Sequence, residues 1–437
     1  MNRSRKCIGL RREDKSVWER RVAITPEDAR ALKEAGIDVV VQPSPVRVFS
    51  EEDFLEAGAA IEEELGECPV VLGIKEMRPS TFRPGGTYVF FSHTIKGQSY
   101  NMPMLKRLME LGCNLIDYEK VTDANGRRLI FFGNFAGMAG MIESLVALGR
   151  RWAWEGTVTP LGALTRANEY HSLEEAKAAV RAVGDRIRTD GFPSGVAPVV
   201  CGFTGYGNVA RGAWEILELL PVEEIAPGQL AGLVERGDAS RHCVYRVVFR
   251  EEDTAEPLQA GATFEVQDYY RHPERYRGVF ERYVPYLTML VNCIYWESRY
   301  PRLITKEGLK RQWEDGVRRL KVIGDISADL EGAIECTVRI SDPGTPYFVY
   351  DPLSGDASDG VEGSGIVMMS VDILPSELPR DASVYFSGVL RSFIPALVGA
   401  DYSVPFEELD LPPEIKRAVI VYHGQLTQDY RYMERFL

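Results

Sequence analysis

Three side chains that can transfer protons stand at the ends of three successive apolar segments in the first third of the chain. The residues and the segments that they end are Lys75 (69–75), His93 (87–93) and Glu119 (113–119). Ligands of open α/β sheets bind beyond the carboxyl ends of the strands. If the three segments are parallel neighbouring strands, they bring an amine, an imidazole and a carboxylate into one crevice. The alternative for each residue alone is a polar side chain at a solvent-exposed strand end.

A second group of residues has the pattern of a dinucleotide-binding turn. A G-x-G-x-x-A motif follows the apolar segment 197–202 and opens a predicted helix at 210–220. Its residues are Gly205, Tyr206, Gly207, Asn208, Val209 and Ala210. The first glycine permits the tight turn, the second lets the backbone approach a pyrophosphate, and the alanine lets the helix pack on the strand. Because a helix N-terminus favours an anion, this turn predicts a coenzyme site.

The choice between NAD(H) and NADP(H) depends in such folds on the end of the next strand. The next apolar segment in the chain, 222–226, has Ala226 where NAD enzymes carry an acidic residue that binds the ribose 2′-hydroxyl. Without that carboxylate, repulsion against a 2′-phosphate is absent, and Arg241 or His242 could supply positive charge. This pattern favours NADP(H) and leaves NAD(H) open.

Short apolar segments alternate with helical patterns around both groups of residues. Thr25 followed by Pro26 predicts a helix N-terminus, because threonine caps a helix and proline fits its first turn, and Gly36 ends that helix. The alternation predicts an α/β fold with parallel strands and crossover helices. The most apolar stretch, 131–149, contains Glu143 and four glycines, which predicts an internal helix rather than a membrane span.

The composition limits the classes of function. The 437 residues suggest two or three domains, and 51 basic against 64 acidic residues give a net charge of −13. No basic run could follow a phosphate backbone, so we expect no nucleic-acid partner, and no membrane partner is expected either. The seven cysteines form no C-x-x-C motif, which argues against a disulfide framework or a metal site and favours a reducing cytoplasm. No secretory apolar region follows the basic start 1–6.

Further motifs resemble those of a known family. The segment 18–26 (WERRVAITP) resembles the opening of the superfamily of alanine dehydrogenases, transhydrogenases and saccharopine dehydrogenases. The more specific motifs are FFSHTIK (90–96), LIDYEK (115–120), DISAD (325–329), VEGSG (361–365) and LPSELPR (374–380). Together they resemble the lysine–2-oxoglutarate reductase half of bifunctional lysine-degrading enzymes and the lysine-forming saccharopine dehydrogenases. The resemblance extends from about residue 7 to the C-terminus, and a second, glutamate-forming dehydrogenase domain is not expected.

The resemblance implies two Rossmann-like domains with parallel sheets and an active-site cleft between them. The substrate domain would comprise residues 1–135 and 382–437, in which C-terminal helices complete the N-terminal sheet. The dinucleotide-binding domain would comprise residues 136–381. The oligomeric state and the direction of the reaction in the cell stay open.

The resemblance also implies roles for individual residues. Lys75 and His93 match an acid–base pair, and Glu76 and Glu119 match carboxylates that tune its basicity. The positions that match substrate-binding residues are Arg21, Lys96, Arg128, Phe132, Asn292 and Tyr295. The positions that match cofactor contacts, besides the glycine turn, are Gln98, Arg127, Gly324, Asp325, Ile326 and Ser327.

The implied reaction is the NAD(P)H-dependent condensation of L-lysine with 2-oxoglutarate to saccharopine, or its reverse. It passes through a carbinolamine and an imine, and each stage moves protons. A free lysine titrates near pH 10.4, roughly three units too high for this work, while burial and nearby cations lower its pKa and nearby acids raise it. We expect His93 to handle the water at the carbon, and Lys75 to exchange the proton of the secondary amine.

Several alternatives stay open from the residues alone. The chain could be another opine-type imine reductase, a relative of alanine dehydrogenase that uses ammonia, or a nucleotide-sensing protein with a degenerate site. Lys75 could instead form a Schiff base with the oxo acid. Arg21 could form a surface ion pair with Glu19, and Lys96 and Arg128 could be solvated loop cations.

Overall fold

The chain folds into two compact units in the computed structural model, which describes residues 6–437. Unit 1 comprises Met1–Phe132 and Pro379–Leu437, and unit 2 comprises Gly133–Leu378. The chain crosses between the units after Phe132 and after Leu378. Each crossing lies three residues before the domain boundary that the resemblance implies. The basic start of the chain, which we expected not to lead into a secretory signal, lies outside the described residues except for Lys6.

The secondary structure is numbered here in chain order. The strands are β1 (Cys7–Leu10), β2 (Asp38–Val41), β3 (Ala60–Ile61), β4 (Val70–Leu72), β5 (Thr87–Phe90), β6 (Asn114–Asp117), β7 (Val199–Thr204), β8 (Val222–Glu224), β9 (Val244–Phe249), β10 (Ala255–Pro257), β11 (Tyr276–Gly278), β12 (Met289–Asn292), β13 (Val322–Asp325), β14 (Tyr347–Tyr350), β15 (Ala357–Asp359), β16 (Ile366–Met369), β17 (Val419–Tyr422) and β18 (Gln425–Leu426). The α-helices are α1 (Pro26–Glu34), α2 (Glu51–Glu56), α3 (Met102–Glu110), α4 (Gly133–Trp154), α5 (Leu173–Asp190), α6 (Asn208–Leu217), α7 (Leu230–Arg236), α8 (Glu251–Thr254), α9 (Val266–Arg271), α10 (Lys306–Glu314), α11 (Pro379–Arg391), α12 (Ile394–Gly399) and α13 (Pro413–Lys416).

Unit 1 is built on an eight-stranded sheet with the order β18-β17-β6-β5-β4-β1-β2-β3. The strands β1 to β6 are parallel, with Leu72 opposite Val89 and Phe90 opposite Asp117. The prediction that the strands before Lys75, His93 and Glu119 are parallel neighbours is therefore confirmed. The C-terminal part was expected to add helices only, but it also adds the antiparallel strands β17 and β18 beside β6.

Local sequence signals place the first helix of unit 1 as predicted. The Thr25 side chain accepts a hydrogen bond from the Asp28 N–H, and Pro26 occupies the first turn of α1. Helix α11 then packs against this N-terminus, since the Ser383 hydroxyl accepts from the Val22 N–H at 3.0 Å and the Ser387 hydroxyl accepts from the Thr25 N–H at 2.9 Å. These contacts fix the segment that contains the WERRVAITP motif.

Unit 2 is built on a second eight-stranded sheet with the order β15-β14-β16-β13-β12-β7-β9-β8. Six neighbouring strands of this sheet are parallel, namely β16, β13, β12, β7, β9 and β8. The strands β14 and β15 form an antiparallel edge beside β16. The expected α/β fold with two largely parallel sheets is therefore confirmed. Helix α4 is the predicted internal helix, and it lies so close to α6 that a Cβ atom on Gly137 would stand 1.9 Å from the Val209 carbonyl oxygen. Within residues 6–437 none of the helices combines the length and the apolar composition needed to cross a bilayer.

Candidate active site

In unit 1, the Glu76 carboxylate, which follows β4, binds the imidazole of His93, which follows β5. Its Oε1 atom accepts a hydrogen bond from His93 Nδ1 at 2.8 Å, and Lys15 Nζ donates to both carboxylate oxygens at 2.9 Å. Burial acts to raise the pKa of Glu76, but the hydrogen bonds and charges of His93 and Lys15 outweigh it and hold that pKa below its ordinary value. Glu76 is therefore an ionised partner that fixes the orientation of the His93 ring.

Lys75 lies beside this pair and is mostly withdrawn from solvent. Burial lowers the pKa of its amine, the positive charge of Arg21 lowers it further, and Glu19 and Glu76 act in the opposite direction. The net direction is downward, as the proton-transfer role requires. The carboxylate that opposes the shift most is Glu19, which the sequence had offered only as a partner of Arg21.

Arg21 is held by Glu19 in a buried pair rather than a surface pair. Its Nε and Nη2 atoms donate to the two Glu19 oxygens at 2.7 and 2.5 Å, and both side chains are buried. The guanidinium also lies over the Phe132 ring, 4.2 Å from its centroid. A substrate carboxylate could use only the remaining N–H groups of Arg21.

The other implied polar residues of unit 1 lie in the loops that follow β5 and β6. Arg128 forms an ion pair with Glu119, which follows β6. Arg127 is exposed and donates from Nε to Asp123 at 2.8 Å. The Lys96 backbone N–H donates to the Gln98 side chain at 3.2 Å, and the Lys96 side chain is exposed.

Glu13 is a buried residue of this edge that the sequence interpretation missed. Its Oε1 accepts from the Ile74 N–H at 2.7 Å and its Oε2 accepts from the Lys75 N–H at 3.0 Å. Burial raises the pKa of Glu13 to about 7, against the lowering effect of Arg11. The position of Glu13 could have identified it, because it follows the end of β1 by three residues. It therefore lies at the same carboxyl edge of the sheet as the other site residues.

The replacement Glu13→Gln is expected to flatten the pH dependence of folding stability. Since the folded-state pKa of about 7 lies above the ordinary 4.5, the contribution of Glu13 is fully present below about pH 4.5 and is lost as the pH rises through 7. The loss should be about 3 kcal/mol, which is the equivalent of roughly two pKa units or slightly more. Urea unfolding at pH 5, 6.5 and 8 measures it, and parallel curves for the wild type and the variant would contradict the assignment.

In unit 2, the glycine turn has the geometry that its motif predicts. Gly205 follows β7 with φ +91°, and a Cβ atom there would stand 3.0 Å from the backbone of Cys293. Asn208 and Val209 begin α6, and Tyr206 and Gly207 are exposed. The turn borders a cavity of about 660 Å³. The other residues around this cavity include Phe249, Arg250, Glu251, Tyr270 and Tyr295.

The prediction that Ala226 marks the coenzyme-selecting position is wrong. Ala226 follows β8, which is an edge strand separated from β7 by β9, although β8 comes first in the chain. The strands that pair with β7 are β9 and β12, and the one that follows β7 first in the chain, β9, leads into Arg250 and Glu251. Arg241 and His242 precede β9 and lie at the opposite edge of the sheet from the turn. The argument for NADP(H) from a missing acid therefore fails.

Two implied residues of unit 2 have their polar groups engaged inside the protein. Asn292 accepts from the Thr204 hydroxyl at 2.7 Å and donates to Asp325 at 2.8 Å, and Asp325 also accepts from the Thr337 hydroxyl at 2.6 Å. Both are buried, and burial raises the pKa of Asp325 to about 6. Their hydrogen bonds connect the carboxyl ends of β7, β12 and β13.

The remaining implied residues of unit 2 differ in exposure. Gly324 packs against α4, where a Cβ atom would stand 2.1 Å from the Ser144 hydroxyl oxygen. Ile326 is buried, and the Ser327 hydroxyl donates to the Ile294 carbonyl at 2.5 Å. Tyr295 is exposed, and its hydroxyl donates to Glu297 at 3.0 Å. Among residues 6–437 no three histidine, cysteine or acidic side chains lie together as metal ligands would.

Comparison with known sequences agrees with the motifs. Residues 9–139 match the family described as alanine dehydrogenase/PNT, N-terminal domain. The chain is 37% identical over 98% of its length to an alpha-aminoadipic semialdehyde synthase of Arabidopsis thaliana, and 34% identical over 98% of its length to the mitochondrial one of Bos taurus. It spans 41% and 47% of these longer proteins. It is also 27% identical to the saccharopine dehydrogenase [NAD(+), L-lysine-forming] of Emericella nidulans, over 88% of this chain and 90% of that one.

Comparison with solved structures concerns the fold alone. An L-alanine dehydrogenase superposes with a TM-score of 0.63 at 18% identity, over 98% of both chains. The transhydrogenase of Sinorhizobium meliloti gives a TM-score of 0.58 at 14% identity, over 96% of this chain and 100% of that one. The chain is therefore similar in sequence to the alpha-aminoadipic semialdehyde synthases and the fungal saccharopine dehydrogenases over most of its length, and similar in fold to an L-alanine dehydrogenase.

Proposed function

We propose that the protein is an NAD(P)(H)-linked oxidoreductase that condenses L-lysine with 2-oxoglutarate to saccharopine, or runs this reaction in reverse. The observation that carries the proposal is the cluster of Lys75, Glu76 and His93 at the carboxyl ends of β4 and β5. The glycine turn of unit 2 supplies the second requirement, a pyrophosphate-binding helix N-terminus. The homologues named for saccharopine and for alpha-aminoadipic semialdehyde agree with this assignment.

The residues of unit 1 can supply the proton transfers. Attack of the lysine amine on the oxo carbon forms a carbinolamine, and His93 would donate the proton with which the hydroxyl leaves as water. When bound, the nicotinamide coenzyme supplies the hydride that reduces the resulting imine. Lys75 would exchange the proton on the substrate nitrogen during this step. Glu76 would hold the His93 ring in place through their 2.8 Å hydrogen bond.

The substrate carboxylates would be held by cations and an aromatic ring around this centre. We assign this role to Arg21, Lys96 and Arg128, with Phe132 packing against the substrate. Arg21 would use the N–H groups that do not bind Glu19, since its Nε and Nη2 atoms already donate to that carboxylate. The pairs of Arg21 with Glu19 and of Arg128 with Glu119 orient these groups before substrate arrives.

An initial-rate screen tests the proposed function directly. NADPH and NADH are each combined with lysine, ornithine or ammonia, and with 2-oxoglutarate or pyruvate. We expect oxidation of the coenzyme to be fastest with lysine plus 2-oxoglutarate, and saccharopine to be identified by mass spectrometry. Turnover with ammonia and pyruvate alone would instead assign an alanine dehydrogenase activity, and no turnover with any pair would remove the proposal.

We propose NADP(H) as the preferred coenzyme because of the charges that follow β9. Glu251 accepts hydrogen bonds from the hydroxyls of Tyr206 at 3.1 Å and Tyr270 at 2.5 Å, so its charge is already partly satisfied. The exposed Arg250 guanidinium lies 5.1 Å from the centroid of the Tyr206 ring. A 2′-phosphate near this strand end would meet a cation that can bind it.

The replacement Arg250→Ala should separate the two coenzymes. Loss of a charge-assisted contact worth roughly 1.5–3 kcal/mol should raise the KM for NADPH about 10- to 100-fold, while the KM for NADH stays within about threefold. Arg271→Ala, which removes an exposed arginine of α9, is the matched control. Equal changes for both coenzymes would contradict a role in recognising the 2′-phosphate.

We further propose that the protein works in a reducing compartment such as the cytoplasm. The thiol of Cys7 donates a hydrogen bond to the sulfur of Cys68 at 3.3 Å, a contact that requires a reduced cysteine. Fractionation of the source cells, with thiol labelling of the recovered protein, tests this proposal. Recovery from an oxidising compartment with these two cysteines joined would contradict it.

A further inference from the structure

We propose that Asn101 and Asp117 are positioning residues that hold His93 in the orientation needed for proton transfer. This inference rests on the proposed function, because it assigns His93 the proton-transfer role. Neither residue was among the candidates from the sequence. Both belong to unit 1, and both contact the turn that contains His93.

The His93 backbone is in a conformation that needs support. Its φ angle is +47°, in the left-handed region that non-glycine residues rarely adopt. Such a conformation is strained, and it persists where surrounding contacts enforce it. The strain occurs at the residue whose ring binds Glu76, so relaxation of this turn would redirect the imidazole.

Asn101 contacts both the turn and the partner of the imidazole. Its Nδ2 group donates to the carbonyl oxygens of Ser92 at 3.1 Å and of His93 at 3.2 Å. The same group lies 3.4 Å from Glu76 Oε1, the atom that binds the His93 ring. One buried amide therefore fixes the backbone of His93 and the carboxylate that orients its side chain.

Asp117 holds the other side of the turn. Its Oδ2 accepts from the Ser92 N–H at 3.1 Å and from the Ser92 hydroxyl. Its Oδ1 accepts from the Glu119 N–H at 2.8 Å, which ties the end of β6 to the end of β5. The carboxylate thus connects the residue before His93 with Glu119.

The burial of these two side chains distinguishes positioning from catalysis. Asn101 is 6% exposed and Asp117 is 0% exposed, whereas 30% of the His93 side chain is exposed. The imidazole is accessible to a substrate, whereas the Asn101 amide group and the Asp117 carboxylate bind the backbone of the turn and of Glu119. Asn101 and Asp117 therefore act through His93 and have no direct contact with the reacting atoms.

The first test is the kinetics of Asn101→Ala. A misdirected imidazole should lower kcat by about 10- to 100-fold, the scale expected for misplacement by about 1 Å, while the KM values for the amine and the oxo acid stay within about threefold. The matched control is Asn114→Ala, which removes a buried asparagine from the amino end of β6, where its side chain contacts Thr87 and His423. If Asn101 only stabilised the fold, Asn101→Ala and Asn114→Ala would lose activity to the same extent.

The second test needs no turnover. Diethyl pyrocarbonate modifies accessible imidazoles, and peptide mass spectrometry follows His93 separately from the other four histidines. In Asn101→Ala the His93 ring should react several-fold faster than in the wild type, because its contact with Glu76 is weakened. Exposed His171 in unit 2 serves as the internal reference and should react at an unchanged rate.

The outcomes separate the two levels of the proposal. If the wild type shows no turnover in the substrate screen, the proposed function fails, while the modification rates still decide whether Asn101 orients His93. Unchanged kcat and unchanged His93 reactivity in Asn101→Ala would overturn the positioning role, as would equal losses in the Asn114 control. If Asn101→Ala does not fold, Ser92→Ala, which removes one hydrogen bond to Asp117, should shift both measurements in the same direction, and no shift there overturns the proposal.

Discussion

Replacement of Lys75 by methionine is expected to lower kcat with lysine and 2-oxoglutarate by about 10²- to 10⁴-fold, the range typical of a lost proton-transfer group. Methionine keeps much of the length and the apolar stem of lysine and removes the amine. Because burial and Arg21 lower the pKa of Lys75, the wild type has a neutral amine available nearer working pH, and the variant has none. Steady-state kinetics between pH 6 and 9 measure the loss, which should include the disappearance of one ionisation from the rate profile.

The matched control is Lys106→Met, because Lys106 is an exposed lysine of α3. It should keep the activity of the wild type within about twofold. His93→Gln should reduce kcat by a similar factor to Lys75→Met, since it removes the second proton-transfer group. Activity close to the wild-type value in both site variants would contradict the assigned chemistry and would favour a nucleotide-sensing protein.

The second large effect is expected from a buried charge cluster in unit 2. Glu143, in α4, accepts from Arg166 Nε at 3.2 Å, from the Ala167 N–H at 2.8 Å and from the Tyr347 hydroxyl. Glu377 contacts the same guanidinium, with its Oε1 atom 3.4 Å from Arg166 Nη2. Burial and the charge of Glu143 raise the pKa of Glu377 well above its ordinary value, which favours the neutral form of Glu377.

This charge state predicts that two single variants and their double variant differ in the free energy of unfolding. Glu377→Gln replaces a neutral acid by a neutral amide and should change the free energy of unfolding by less than about 1 kcal/mol. The double variant Glu143→Gln with Glu377→Gln leaves Arg166 buried without a counter-charge and should lose about 3–5 kcal/mol. Glu143→Gln alone should fall between them, because Glu377 can ionise in its place.

Urea unfolding at pH 7 measures these differences. Glu174→Gln, which changes an exposed residue of α5, is the control and should match the wild type. A loss in Glu377→Gln as large as that of the double variant would show that Glu377 is ionised in the folded protein. That result would contradict the assigned charge state.

The strand-end residues could be predicted because two simple rules act together. Apolar segments followed by helical patterns predict parallel strands, and parallel strands place their carboxyl ends at one edge. Lys75, His93 and Glu119 therefore could be grouped from their positions alone. The glycine turn was equally accessible, because Gly205 and Gly207 have a steric role that the motif itself states.

The residues that support the site carry no comparable pattern. Glu13 binds backbone groups of Ile74 and Lys75, which are distant in the chain. Asn101 binds carbonyl groups of the irregular turn at Ser92 and His93, and neither kind of contact leaves a periodicity in the sequence. Ala226 was misplaced for a related reason, since the next strand in the chain is the edge strand β8 and not the spatial neighbour of β7. The strand Val419–Tyr422 was missed because its partner β6 lies about 300 residues earlier, as the pairing of Val419 with Ile116 shows.

The split composition of unit 1 has a consequence for the nascent protein. While the ribosome is still making residues 379–437, β6 is an open sheet edge, since β17 has yet to pair with it. An unpaired edge is a template for wrong association, so the newborn chain would benefit from a chaperone during this interval. Unit 2 is the continuous stretch Gly133–Leu378, so its sheet can form before residues 379–437 are made. Unit 2 would therefore complete its fold before unit 1.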